Sequence, residues 1–298
     1  DLWFPDGSIV LEAAGNVFRV HKSLLLMHSE VFKAMLDFPP GSAQESFEGA
    51  PLVHLDEDVD SDDIRCLLNA IYKRQYFIKG AYTPFDRLAA LLRMSKRYRI
   101  KHLKDEIAAH LSLIYPTTLS DFRRRDKTLL GDSTTHMFEA LAMANEVPLD
   151  AILPAAYYCA AELPIEDIVY GITVGMGDET SEFELKSEHD KGIILVGRED
   201  LIQYKHELMD SFLLSVSPTP TCRAKHLCRA ALASYLSDQK DRGLLSCCDI
   251  FTRQPLWKQY RNHTNQLCQP CKDVFQASET KALETVWKRL PVIFGLKE

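Results

Sequence analysis

The stretch FRVHKSLLLMHSEVFKAML, residues 18–36, decides how the rest of the chain is read. It begins as a strand, passes into an apolar run and sets His21, His28 and Ser29 among leucines. An imidazole beside a hydroxyl admits two readings: a nucleophile with its base, or polar residues at helix ends. The three sit too close together in sequence, and are too well explained by helix ends, to form a nucleophilic triad. Ser29 stands immediately before EVFKAML, where a side-chain oxygen accepts from unpaired backbone amides. Glu30 follows where the helix dipole favours negative charge. His21 marks the switch from strand to helix. These are fold-building positions, and no catalytic residue is assigned.

Upstream, residues 8–20 alternate Ile9, Leu11, Ala13 and then Phe18, Val20 around Gly15-Asn16, the pattern of a hairpin with one apolar face. Downstream, short helices fit Lys22 to Met27 and Glu30 to Leu36, and PLVHL (51–55) is a further strand. The acidic run DEDVDSDD (56–63) ends as a helix start, with Ser61 as N-cap and Ile64, Leu67, Leu68 and Ile71 as the buried stripe. Two helices follow, on Phe85, Leu88, Leu91, Leu92 and on Ile100, Leu103, Ile107, Leu111. The basic stretch RMSKRYRIKHLK (93–104) at their junction reads as a solvated helix face rather than a phosphate site, since Asp105 and Glu106 follow at once. The fold class is α+β: a small sheet with surrounding helices over residues 1–115, followed by an all-helical region.

Beyond Pro116 no strand alternation recurs clearly. Residues 116–216 form a helical region, with the polar, glycine-bearing segment 171–198 expected as a flexible insertion. SPTPT (217–221) links to a cysteine-bearing helical tail, 217–298. The Gly175-x-Gly177 pair lacks the third glycine of a dinucleotide fingerprint. No nucleophile elbow, zincin or phosphate-loop motif is present.

The net charge of −7, from 35 basic and 42 acidic side chains, argues against bulk nucleic-acid binding. No run of about 18 apolar residues suggests a membrane span. The chain opens on Asp1 rather than Met, which leaves room for a leader ahead of it. Eight cysteines in 298 residues do not make a disulfide scaffold, and an intracellular setting is expected, cytoplasm or nucleus.

Six of the eight crowd into residues 222–271. LCQPC (267–271) holds Cys268 and Cys271 at a chelating spacing, and Cys222-x5-Cys228 or Cys247-Cys248 offers a second pair, with His226 and His263 as substitutes. Neither second pair has knuckle spacing. Buried free thiols in a bundle built on Leu227, Leu232, Leu236, Leu244, Trp257 and Trp287 are therefore expected ahead of zinc. No cofactor is assigned, and zinc stands as the alternative.

The ordered set Asp6, His21, Leu25, Ser29, Phe32, Leu55, Asp56, Tyr72, Tyr98, Ile100 and Leu103 resembles the BTB/POZ domain over roughly residues 4–115. Residues 116–298 look like the helical tail of BTB proteins common in mushroom-type fungi. The resemblance implies an adaptor or scaffold that self-associates, and often recruitment of a cullin-type ubiquitin ligase through a hydrophobic-x-Glu motif after VFKAML. Here that place is held by Ala43-Gln44-Glu45, with alanine where a large apolar residue is expected. The residues themselves also point to self-association. Helix neighbours diverge by about 100°, so some of Leu24 to Met27 must face away from their own core unless the region after residue 116 covers them. Trp3, Phe4, Leu24, Leu25 and Met27 are the expected homodimer interface, with Leu25 or Met27 facing outward. The rival is a zinc-containing regulatory or nucleic-acid-linked factor.

Overall fold

The structure, a computed structural model, describes residues 2–37, 45–130, 136–147, 149–176, 179–215, 218–241, 248–251 and 266–296. The chain divides into two compact units. The first comprises Asp1–Ile114, Asp126–His136 and Met143–Leu149, and the second Tyr115–Arg125, Met137–Ala142 and Asp150–Glu298. Within the stretch 116–216, residues 126–136 and 143–149 thus fall in the first unit and the remainder in the second.

The first unit is built on a four-stranded sheet in the order β2-β1-β4-β3, with β1 Ile9–Ala13, β2 Asn16–Val20, β3 Ser46–Phe47 and β4 Ala50–His54. β1 pairs antiparallel with β2 and parallel with β4 (Val10 opposite Leu52). A parallel partner needs a crossover; the chain between β2 and β3 carries α1 (Lys22–His28) and α2 (Glu30–Met35). As the inner strand, β1 buries Ile9, Val10, Leu11 and Ala13. The β1–β2 turn is Ala14-Gly15 rather than the expected Gly15-Asn16, because Asn16 already pairs with Ala13. Both turn residues take positive φ (46° and 77°), the geometry a two-residue hairpin loop requires. The Glu12 carboxylate accepts the Gly15 N–H at 2.6 Å and closes the turn.

Next in this unit come α3 (Ser61–Tyr72), α4 (Phe85–Arg97) and α5 (Lys101–Leu111). The α3 cap is Asp60, not Ser61. Its carboxylate accepts from the N–H groups of Asp62 (2.7 Å) and Asp63 (3.3 Å), and Ser61 is the first helical residue. The acidic run and the basic stretch expected as a solvated face meet each other. Arg93 forks onto Asp63 with two bonds of 2.8 Å, and Arg97 reaches Asp56 (2.7 Å) and Asp58 (2.6 Å). Those carboxylates hold the Arg97 guanidinium further above its ordinary range.

In the second unit lie α6 (Leu119–Arg124), α8 (Leu153–Ala161), α9 (Ile165–Tyr170), α10 (Glu188–Ser215), α11 (Lys225–Asp241), α12 (Gln269–Lys288) and α13 (Leu290–Ile293), while α7 is His136–Glu146. The region is helical but not all-helical. β5 (Ile172–Met176) and β6 (Glu179–Phe183) form an antiparallel hairpin within 171–198, the segment expected as a flexible insertion. Its β-branched run Ile172-Thr173-Val174 carries strand propensity that the polar composition concealed. The same segment ends in α10, whose start is capped as Ser187 Oγ accepts the Asp190 N–H at 3.1 Å.

Aromatic rings fill the core of this unit. Trp287 packs on Phe122 (centroids 4.6 Å) and Phe251 (5.1 Å), and its indole N–H donates to the Thr117 carbonyl at 2.8 Å. Of the bundle residues expected from the tail, Trp287 and Leu232 are buried, whereas Leu227 is 55% exposed. Leu244, Trp257 and the side chain of Leu236 lie outside the described residues. Among the described residues no helix is long and apolar enough to cross a membrane.

Candidate functional site

The polar residues of the opening stretch form two structural networks. Where β2 gives way to α1, the Tyr72 hydroxyl accepts the His21 backbone N–H (2.7 Å). The same hydroxyl hydrogen-bonds His21 Nδ1 (2.9 Å), and His21 Nε2 pairs with Asp6 at 3.3 Å. That bond lowers the Asp6 carboxyl below its usual range, and burial raises the Tyr72 phenol. Phe4 stacks on Tyr72 at 4.5 Å. At the α1–α2 break, Ser29 Oγ accepts the Phe32 N–H (3.0 Å) and donates to the Tyr98 carbonyl (2.5 Å), while the Phe32 and Tyr98 rings stack at 4.2 Å. Asp6, His21 and Tyr72 thus form one linked set, and Ser29, Phe32 and Tyr98 another. In both, the hydrogen bonds fix backbone and ring positions, and His21 and Ser29 are not directed at each other.

The expected interface residues separate. Leu25 is fully buried in its own unit and is withdrawn as an outward-facing position. Only one direction of a seven-residue helix points straight into the core, and Leu25 occupies it. Leu24, Trp3 and Phe4 are half-buried, and Met27 is 68% exposed. Trp3 makes an isolated bridge with Arg19 and meets Phe47 edge-on at 6.0 Å, and Phe47 is itself exposed. Beside the end of α1, a cavity of about 620 Å³ is lined by residues including His28, Arg74, Phe77, His102 and Glu106. The His28 and His102 rings lie 5.1 Å apart, and burial, then the His102 charge, lower the His28 ring below its ordinary range. Glu45 is held by His54 Nε2 at 3.1 Å, while Ala43 and Gln44 lie outside the described residues.

The tail brings together four residues that the sequence offered as ligands but ranked behind free thiols. Sulfurs of Cys222, Cys228, Cys268 and Cys271 all lie within 4.8 Å of one another, and three of the four residues are buried. Cys222 Sγ is 3.6 Å from both Cys228 Sγ and Cys268 Sγ. Cys228 Sγ accepts the Cys268 N–H (3.4 Å) and Cys271 Sγ the Thr219 N–H (3.4 Å). Burial raises the Cys222 and Cys228 thiols. Burial also raises Cys271, but the Thr219 N–H and hydroxyl, with the Cys268 and Cys222 thiols, bring it down to about 7. Of the substitutes, Cys248 donates to the Ala161 carbonyl at 2.9 Å and His226 is exposed. Cys247 and His263 lie outside the described residues. Thr219 carries no sequence signal of its own; only the fold shows it against Cys271. Among the described residues this is the one group of His, Cys, Asp or Glu side chains placed to hold a metal ion.

Residues 4–114 match the family model of the BTB/POZ domain, and the chain carries that domain there. No curated protein matches the chain.

Proposed function

We propose that, with a BTB/POZ domain at residues 4–114, this protein is a non-enzymatic adaptor or scaffold that works through self-association of that domain. The BTB/POZ domain is a protein-interaction domain, and this carries the reading. The exposed apolar residues beside α1 support it. Met27 presents an unbranched, adaptable side chain to solvent, and Phe47 extends the half-buried Trp3 on the sheet. An intracellular setting, cytoplasm or nucleus, goes with this reading, since free thiols persist in a reducing compartment.

The test is sedimentation velocity of the full chain over micromolar concentrations. A dimer is expected, and Met27→Asp is expected to weaken it without unfolding the domain, because Met27 is already exposed. Loss of one buried Met side chain removes about 1.5–3 kcal/mol per copy, which is more than tenfold in Kd. A wild-type chain that stays monomeric throughout overturns the proposal.

Recruitment of a cullin-type ligase is the finer form of the adaptor reading, and two observations weigh against it. Ala43 offers only a methyl group where the recruitment motif is large and apolar, and the Glu45 carboxylate is engaged by His54. A second reading, a zinc-containing regulatory or nucleic-acid-linked factor, is favoured by the four-thiol cluster. Its nucleic-acid part gains nothing from a charge of −7, or from Arg93 and Arg97, which are committed to Asp63, Asp56 and Asp58.

A further inference from the structure

We propose that Cys222, Cys228, Cys268 and Cys271 form a structural tetrathiolate zinc site that ties together the segment before α11, the first turn of α11 and the start of α12. It does not depend on the adaptor reading.

Four thiols within one small volume admit three states: free thiols, disulfides, or ligands on one ion. The distances discriminate among them. A disulfide pairs sulfurs two by two, whereas Cys222 Sγ stands 3.6 Å from both Cys228 and Cys268 and so has no preferred partner. Four ligands at the Zn–S distance of about 2.3 Å define a tetrahedron with S···S edges of about 3.8 Å. The two measured edges agree, and no pair in the set exceeds 4.8 Å.

Backbone amides supply the second argument. Two of the sulfurs accept a backbone N–H, Cys228 from Cys268 and Cys271 from Thr219, each at 3.4 Å. Hydrogen bonds of this kind favour a thiolate over a thiol and orient the ligands of a metal centre. Cys268 is also the N-cap of α12, with Cys271 in its first turn, where the helix dipole favours negative sulfur. Four thiolates on a divalent ion leave residual negative charge, and Arg223, Lys225 and Lys272 adjoin the ligands in sequence.

An all-cysteine set of four ligands, three of them buried, suits a structural ion rather than a catalytic one, which keeps an open position. Soft sulfur ligands in a tetrahedron select zinc or iron over the hard cations. The site joins segments 40 residues apart, so the ion would do for this unit what a cross-link does, by limiting the freedom of the unfolded chain.

The experiment uses the full chain, expressed with zinc in the medium and purified under reducing conditions without chelator. Elemental analysis should give about one zinc per chain. Cobalt added to the metal-stripped protein should produce the intense visible absorption of a tetrahedral cobalt thiolate. Cys268→Ser should abolish both, whereas Cys66→Ser, outside the cluster, should change neither. If Cys268→Ser fails to fold, the zinc content and cobalt spectrum of the wild-type chain still decide. Zinc well below one per chain with no cobalt–thiolate spectrum would overturn the proposal. So would stoichiometric iron, or disulfides among the four cysteines in reduced preparations. Sedimentation is read separately, so a zinc-bearing monomer defeats the adaptor alone and a metal-free dimer defeats the zinc site alone.

Discussion

Replacing Ser29 with alanine removes two buried hydrogen bonds at once and tests whether the opening hydroxyl builds the fold. Ser29 is 2% exposed, and its Oγ both caps α2 at the Phe32 N–H and donates to the Tyr98 carbonyl. Loss of an N-cap costs about 1 kcal/mol, within 0.5–2. A buried carbonyl deprived of its donor adds about 1–3 kcal/mol, the desolvation cost of an unsatisfied acceptor. The expected destabilisation is therefore about 2–4 kcal/mol, more than a cap alone provides. Urea unfolding followed by circular dichroism measures the total, and amide exchange of the 29–36 segment reports the cap locally. Ser61→Ala is the control. Asp60 caps α3, so loss of the Ser61 hydroxyl should change stability by less than about 0.5 kcal/mol. A Ser29→Ala protein as stable as wild type, with unchanged exchange at Phe32, would refute the two-bond account. So would a Ser61→Ala cost as large as that of Ser29→Ala.

Two further predictions rest on single residues. Gly197 lies in α10 with the Phe294 ring where a Cβ would stand, and that ring is buried and stacked on Tyr157 at 5.6 Å. Gly197→Ala should thus destabilise the second unit by about 1–2 kcal/mol, overpacking outweighing the helix-propensity gain of about 1 kcal/mol; a higher melting temperature would contradict the close approach. His110 is fully buried, with Nδ1 accepting the Gly80 N–H at 3.1 Å, and burial lowers its pKa below 6.5. The unfolded chain then takes up the proton first, so this stability is present above about pH 6.5 and is lost as pH falls through the lowered pKa. Denaturation midpoints should fall from pH 7 to pH 5, with a shallower slope in His110→Leu, and equal slopes would remove His110 from the account.

Legibility differed between the two units. In the first, β1, β2, β4, the helices and the Ser29 cap were readable because each depends on neighbours a few residues away, whereas the two-residue β3 was not expected. The α3 cap was misplaced by one residue, since Asp60 and Ser61 are both good capping types and only the backbone geometry separates them. In the second, the β5–β6 hairpin was hidden by polar composition, although the Ser187-x-x-Asp190 spacing that starts α10 was present in the sequence.

The sequence by itself determined the α+β character of residues 1–115, the order of the signature residues and the capping role of Ser29. Periodicity, turn chemistry and cap spacing are local properties. The tertiary structure decided what depends on the path of the chain. It buried Leu25 and left Met27 outside, and it turned Arg97 onto Asp58, 39 residues away. It also closed Cys222 on Cys268 across 46 residues. The reason is physical: a side chain's partner across such a separation is fixed by how the intervening helices and strands pack, and no pattern of a few residues carries that information.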